Sequence, residues 1–589
     1  MTRFEVWAPH ADERVDVLVD GDTHAMASAR SGWWRTDLDS PPGTAYAFSL
    51  DGGPPLPDPR ALRLPGGPVA PAEVFDVHEF AWTDSSWQGV DLPGAVVYEL
   101  HIGTFTAKGT FDAAVERLDH LVELGVDLVE VMPVNTFPGR HGWGYDGVGL
   151  FAVHEPYGGP RAFQRFVDAC HARGIGVCLD VVYNHLGPSG NNLAEFGPYF
   201  TDHYVTPWGP ALNLDDAGSD EVHGFVLDNV VQWLRDFHVD ALRLDAVHAL
   251  HDERALPLLE QMSAQVDRLS GELGHPLWLI AESDRNDPRT VTPREQGGIG
   301  LHAQWADDVH HGLHVFLTRE TQGYYSAFTG PRTLEKVLTH VFFHDGSWSS
   351  FRGRSHGRPI DRDRVPGWRF VVCLQNHDQV GNRAVGDRLS ASLEPGELAG
   401  GAALLLTSAG TPMLFMGEEW GASTPWQYFT DHPDPELAEA VRQGRRDEFA
   451  THGWQRDDVP DPQDPATVER SRLDWSEVSV GPHARLLEWY RALIALRRAR
   501  PELRDPDLRA VLVRHDETTR TVVVHRGAHR VVVNLADEPR TVDLDAAGHD
   551  DIAVLLAWDD EAALDGDRMT VGPRSAVVVG PAGSSDDAG

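Results

Sequence analysis

The sequence predicts a closed (β/α)8 barrel flanked by an N-terminal and a C-terminal β-sandwich. From about residue 94, apolar runs of strand length alternate with amphipathic helices for about 400 residues, the pattern of repeated β-then-α units around a parallel sheet. Several of those runs end in Asp, Glu, Asn or His, as strands do at the mouth of such a barrel. On either side of that stretch the pattern changes to short alternating segments between Gly, Pro and Asp, the mark of antiparallel strands.

The chain has 589 residues, enough for several domains. Residues 1–85 read as the first sandwich, with Phe4 and Val6, then Val15, Val17 and Val19, on alternating positions. Trp82 to Pro93 is a polar, turn-rich connector. The barrel is expected over 94–503, opening with a strand from Val96 to Phe105, a helix from Phe111 to Leu124 and a strand from Val126 to Val134. A helix (Arg161 to Arg173) and a strand (Gly176 to His185) follow, then a Gly/Pro/Asn-rich insertion at about 186–220 and a long helix from Glu221 to Phe237. Strands are expected from Ala241 to Val247, Leu277 to Asp284 and Phe370 to Asp378, with Gly300 to Trp305 filling the gap before the last. Glu397 to Ser408 and Met413 to Glu418 give the final helix and strand pair, and Ala484 to Arg500 a closing helix. Residues 508–582 return to short strands (Thr521 to Val524, Arg530 to Val533, Ala576 to Val579), and 583–589 read as a disordered tail.

Fifty basic residues against ninety acidic ones give a net charge of −40. Such a surface repels phosphate backbones and anionic headgroups, which argues against nucleic acid and membrane partners. A neutral sugar meets no such penalty. The two lysines, Lys108 and Lys336, sit in no phosphate-binding loop. Cys170, Cys178 and Cys373 form no C-x-x-C, which fits a reducing cytoplasm, and the charged N-terminus lacks the apolar core of a signal peptide. The longest apolar stretch, Gly400 to Met416, reads as a buried helix followed by a buried strand rather than a membrane span.

Four apolar runs end in chemically loaded groups: LDVVYNH (Asp180, Asn184, His185), LRLDAVH (Arg243, Asp245, His248), LIAESD (Glu282, Asp284) and LQNHDQ (Asn376, His377, Asp378). A barrel would bring Asp245, Glu282 and Asp378 to one mouth. Glycosidic cleavage needs that equipment, since one carboxylate attacks or stabilises the anomeric carbon while a protonated second one serves the leaving oxygen. A single acidic residue after a strand is more often a helix cap; three, with His and Arg beside them, suggest an active site. A metal site would want paired histidines at ligand spacing, and the pair found, His310 and His311, is adjacent in sequence. No metal or cofactor is therefore expected.

DVVYNH, RLDAV, IAES and NHD, in this order, resemble the four conserved regions of the α-amylase superfamily of glycoside hydrolases, and FEVWAPHA is similar to the N-terminal sandwich of its branching and debranching members. VVYELHIGTFT, ESDRNDPRTV, QWADDVHHGLHVFLT, LQNHDQVGNRAVGDRLS and PMLFMGEEWGASTPWQYFTDH look like one subfamily, the maltooligosyltrehalose trehalohydrolases. The resemblance implies Asp245 as nucleophile, Glu282 as general acid/base and Asp378 as transition-state stabiliser. Arg243, two residues before Asp245 on the same strand face, would hold it ionised, and the apolar LWLIA before Glu282 should raise that carboxyl's pKa. His185 and His377 would bond the hydroxyls of the sugar being cleaved, with Tyr145 as its aromatic platform. Asp308, His310 and His311 would reach the leaving-group side, and His248, Gln379 and Asn382 complete the expected substrate contacts. Trp143 and Asp146 suit either the site or its loop, and Trp208 is a rim candidate. Asn184 corresponds to a calcium ligand of the α-amylases proper; the other ligands are not recognisable, so calcium is not expected.

The implied reaction is retaining cleavage of the α-1,4 bond beside the terminal trehalose of maltooligosyl trehalose, in a cytoplasmic enzyme supplied by a maltooligosyltrehalose synthase. A glycogen branching or debranching enzyme and a non-catalytic α-glucan-binding protein are the alternatives.

Overall fold

A computed structural model describes residues 1–206, 209–450, 459–545 and 552–582. Among them, eight parallel strands close into a barrel: β1 (Val97–Leu100), β2 (Leu128–Val131), β3 (Gly176–Val181), β4 (Ala241–Leu244), β5 (Trp278–Ala281), β6 (Ala303–Trp305), β7 (Phe370–Cys373) and β8 (Thr411–Phe415). Each is short and dominated by apolar residues, as parallel strands buried on both faces must be. Closure runs through β8 and β1, where Met413, Leu414 and Phe415 pair with Val97, Tyr98 and Glu99.

The barrel interior changes character along its axis. Val97, Leu128, Cys178, Ala241, Ile280, Ala303, Val371 and Met413 form an apolar floor. Side chains two residues further along a strand share its face, so the next layer holds Glu99, Glu130, Asp180 and Arg243. Glu99 lies opposite Glu130 and Asp180 opposite Arg243 in the strand registers. The same two-residue step brings Asp245 above Arg243 and Glu282 above Ile280, at the mouth.

Several expected elements are shorter than the apolar runs that announced them. The run Val96 to Phe105 is strand only to Leu100, after which His101 turns the chain into the helix Ile102–Phe105 and its ring meets Thr104 Oγ1 at 3.0 Å. The expected helix from Phe111 to Leu124 is two, Phe111–Val115 and Leu118–Leu124, broken where Arg117 packs its guanidinium 4.5 Å from the Trp475 ring centroid. The long helix after the insertion is Ser219–Val231 and ends in a π turn, Gln232–Asp236. The Gly300 to Trp305 candidate supplies β6 in its last three residues. Pro395–Leu406 is a buried helix leading to β8, and among the described residues no helix is long and apolar enough to cross a membrane.

At the N-terminus, Thr2–Trp7 pairs with Trp33–Leu38, and a second sheet is built on Val15–Val19 and Ala45–Leu50. At the C-terminus a five-stranded and a three-stranded sheet enclose Val523, Val532, Val577 and Val579 against Leu544, Met569 and Val571. The insertion carries a hairpin, Phe200–Thr206 with Gly209–Leu212; Trp208 and the tail 583–589 lie outside the described residues.

Candidate active site

Arg243 is the hub of the mouth. Its side chain is fully buried, and Nη1 donates to both oxygens of Asp180 at 2.9 Å and to Asp245 Oδ1 at 2.8 Å. Nη2 lies 3.4 Å from Glu282 Oε2 and makes no hydrogen bond. The guanidinium lies 4.3 Å from the centroid of the Trp305 ring at the end of β6. Burial disfavours its charge, but Asp180, Tyr145, Glu282 and Asp245 outweigh that and hold it firmly protonated.

Asp245, closing β4, receives a second bond from Asn184 Nδ2 at 2.6 Å. The Asn184 that suggested calcium by its position thus serves the carboxylate, and its Oδ1 meets His185 Nδ1 at 2.5 Å. The His185 ring reaches the Tyr145 carbonyl on its other side, at 3.0 Å. Among the described residues no group of three or more His, Cys, Asp or Glu is arranged to hold a metal ion.

Glu282 extends β5. Burial pushes its pKa up to about 8, with Asp245, Asp378 and Asp307 adding to the rise against the pull of Arg243. Its Oε2 accepts the Ala246 N–H at 2.6 Å. Ala246 holds φ 40°, a left-handed conformation that costs a non-glycine residue of order 1 kcal/mol or more and turns its amide toward Glu282.

Asp378 and His377 open the short helix His377–Gly381 after β7, capped by Asn376 Oδ1 accepting the Gln379 N–H at 2.8 Å. Gly381 is required there, because a Cβ would stand 2.1 Å from the Trp143 ring. Asp378 Oδ1 accepts from Asn382 at 3.1 Å, and Asp378 Oδ2 lies 3.3 Å from His377 Nε2. Tyr145 donates its single O–H to Asp180 at 2.5 Å, so at 2.8 Å its oxygen accepts from His377 Nε2–H, while His377 Nδ1–H goes to Glu99 at 2.5 Å. Both nitrogens therefore carry protons. Burial opposes that charge, but Asp378 and Glu99 prevail and push the pKa up to about 9. Tyr145 stacks on this ring, with centroids 5.1 Å apart. Since protein groups occupy both nitrogens of His377, contact with a sugar hydroxyl requires Nε2 to exchange a partner.

The residues expected on the leaving-group side lie on the helix Asp307–Thr318 that follows β6. Asp308 is buried, and its Oδ2 accepts from Asn286 Nδ2 (2.7 Å) and from the Phe343 and His344 amides (2.8 and 2.9 Å). Through Oδ2 it braces two loops. Its neighbour Asp307 is the first residue of the helix Asp307–Thr318, and burial with the charge of Asp378 pushes its pKa up to about 7. His310 is buried against Tyr325 and lines a cavity of about 190 Å³ with His314, Glu320 and Arg383. His311 packs among Tyr324, Tyr325 and Phe328. Both pack against aromatic rings, and burial lowers the pKa of each. Gln379 Oε1 accepts from Tyr324 Oη at 3.4 Å, and His248 sits half-buried on the turn after Asp245. Trp143 is a buried wall stacked on Trp426 at 5.3 Å, and Asp146 lies 3.8 Å from His432.

Sequence reasoning missed Glu99 and Glu130 and gave Asp180, which it singled out, no role; all three are buried within the barrel. A signal existed: each is an acidic residue inside an otherwise apolar strand run.

Residues 78–198 match the family model described as the alpha amylase catalytic domain, and 506–579 match a domain of unknown function. The chain is 54% identical over 98% of its length to a protein of Rhizobium sp. (strain M-11) named malto-oligosyltrehalose trehalohydrolase, covering 97% of that relative. A protein of the same name from Arthrobacter ramosus is 57% identical over 91% of this chain and 93% of its own. Among solved structures, a putative alpha amylase from Salmonella typhimurium superimposes with a TM-score of 0.89 at 35% identity, covering 98% of this chain and 97% of that one.

Proposed function

The chain belongs to the malto-oligosyltrehalose trehalohydrolases, a family built on the α-amylase catalytic barrel, and from that premise we propose that it releases trehalose from maltooligosyl trehalose with Asp245, Glu282 and Asp378 as its catalytic carboxylates. The observation that carries the assignment of roles is the unequal treatment of two carboxyls by one guanidinium. Asp245 takes a 2.8 Å bond from Arg243 and a 2.6 Å bond from Asn184, which suits an anion that must attack the anomeric carbon. Glu282 is pushed up to about 8 and so carries the proton a departing sugar oxygen needs.

In this reading Asp245 bonds to the anomeric carbon as Glu282 gives its proton to the departing trehalose. Water, deprotonated by the same Glu282, then breaks the ester; two inversions give net retention. Asp378 faces the cationic sugar from β7, and the protonated His377 beside it fixes its orientation. Supply of substrate by a maltooligosyltrehalose synthase, a place in trehalose formation from α-glucans and a cytoplasmic location belong to the same proposal, the last supported by three buried, free cysteines.

The test is incubation with maltopentaosyl trehalose, with products separated by chromatography and the new reducing end followed by NMR before mutarotation. Trehalose and an α-anomer are expected. A β-anomer would remove Asp245 as nucleophile, formation of α-1,6 branches from amylose would favour a branching enzyme, and the absence of turnover would favour a glucan-binding protein.

A further inference from the structure

We propose that Arg445 is a positioning residue for the reaction: it fixes the amide of Asn382 and, through that amide, the carboxylate of Asp378. This role rests on the functional reading above and deepens it. Arg445 lies on the helix Pro435–Ala450, in the connection between β8 and the helix Gly481–Ala499. Its Nη2 donates to the Gly381 carbonyl at 2.5 Å and its Nη1 to Asn382 Oδ1 at 3.3 Å. Asn382 Nδ2 in turn donates to Asp378 Oδ1 at 3.1 Å. The guanidinium stands 5.2 Å from the centroid of the Tyr428 ring, which meets the buried Trp143 wall edge-on at 5.1 Å.

Gly381 and Asn382 end the short helix His377–Gly381, whose first two residues are His377 and Asp378. Arg445 therefore grips the far end of the element that carries one of the three carboxylates, and it supplies a donor to a carbonyl that the helix leaves without an intrahelical partner. The two oxygens of Asp378 have unequal supports. Oδ2 lies 3.3 Å from His377 Nε2, and the His377 ring is buried and bonded to Glu99 and Tyr145. Oδ1 depends on Asn382, an exposed residue, and an exposed side chain left to water exchanges among rotamers and partners. A guanidinium only donates, so its bond to Asn382 engages Oδ1 and turns Nδ2 toward Asp378; the opposite orientation of the amide would set oxygen against carboxylate. The bond from a cation also polarises the amide and strengthens the N–H given to Asp378. The carboxylate that faces the developing positive charge is thus held in one orientation before substrate arrives, which is how an electrostatic stabiliser gains its effect.

The test is steady-state kinetics on maltopentaosyl trehalose for wild type, Arg445→Met, Asn382→Ala, Asn382→Asp and the double variant Arg445→Met with Asn382→Ala, each checked for folding by circular dichroism. Arg445→Met should lower kcat at least about tenfold with KM within about twofold of wild type, the split expected when orientation rather than binding is lost. Asn382→Asp keeps an acceptor for Arg445 but no donor for Asp378, and should lose at least as much kcat as Asn382→Ala. Because Arg445 acts through Asn382, the double variant should match Asn382→Ala within about twofold. A kcat within about twofold of wild type in Arg445→Met, a raised KM at unchanged kcat, or losses that multiply in the double variant would overturn the proposal. Near-wild-type kcat in Asn382→Asp overturns it as well, whether or not Arg445→Met folds. If wild type releases no trehalose, or Asp378→Asn turns over at a near-wild-type rate, the functional reading fails instead, whatever Arg445 does.

Discussion

Replacing Glu282 by Gln should stabilise the protein in mildly alkaline solution while stopping the reaction. The folded barrel holds the Glu282 proton until about pH 8, whereas the unfolded chain releases it near the ordinary 4.5. Between those values the folded state binds the extra proton, so stability falls as pH rises; the loss is complete above the folded value. At about 1.4 kcal/mol per tenfold change, the penalty reaches a ceiling of about 2 kcal/mol at pH 6 and about 5 kcal/mol at pH 9. The side chain keeps 19% exposure, and solvent screening reduces those ceilings, leaving a few kcal/mol. Gln cannot titrate, so the variant escapes the penalty. Urea unfolding of both proteins at about pH 6 and about pH 9, followed by tryptophan fluorescence, should show the variant gaining on wild type as pH rises. Its kcat should fall by at least about 10² to 10⁴, and wild-type kcat/KM should decline about tenfold per pH unit above the Glu282 value. Parallel unfolding at both pH values, together with a flat wild-type profile into the alkaline range, would refute the claim that this carboxyl is held protonated.

Asp245→Asn and Asp378→Asn should fold normally by circular dichroism and lose several orders of magnitude in kcat; near-wild-type turnover in either would remove that residue from the triad. Arg243→Met leaves Asp180, Asp245 and Glu282 without their shared cation and should destabilise by about 3 to 5 kcal/mol in denaturant unfolding, whereas a loss below about 1 kcal/mol would show that the guanidinium is not the hub. Glu99→Gln removes one of the two anions that hold His377 charged, so the imidazole should titrate below its wild-type value of about 9, read by NMR of the ring protons; an unmoved titration would contradict the bonding deduced for that ring. Activity should survive EDTA treatment and dialysis, because in the proposed reaction Asp245 and Glu282 supply both nucleophile and proton.

The barrel was legible because its strands are buried on both faces, so each had to be an apolar run, and because the polar residue ending a run marks the mouth. β6 was least legible: three residues long, it is closed by Trp305, whose ring covers Arg243. Asp245, Glu282 and Asp378 could be read from strand ends, but the surroundings of Asp308 could not. Asp308 is held by the loops at 286 and 343–344, contacts between segments far apart in the chain that no local pattern predicts. The overlong reading of β1 has a related cause. His101 to Phe105 is as apolar as a strand, and only the tertiary contacts of His101 reveal the turn.

The unsatisfied Nη2 of Arg243 gives the site a way to follow its own reaction. In the resting state this donor stands 3.4 Å from Glu282 without a hydrogen bond, while Nη1 serves Asp180 and Asp245. In the proposed reaction Asp245 loses its negative charge when it bonds to the sugar, and in the same step Glu282 gives up its proton and acquires a negative charge. The charge thus moves from the carboxyl on one side of the guanidinium to the carboxyl on the other. A small approach of Glu282 toward Nη2 would convert that contact into a charge-assisted hydrogen bond. Arg243 can therefore exchange partners without moving, held by Asp180 below and Trp305 beside it. The desolvation that keeps Glu282 protonated at rest is offset, once the proton has left, by a donor already in place. Asp180 stays paired throughout, which is why a carboxylate that touches no substrate in this scheme belongs in the barrel beneath the two that do.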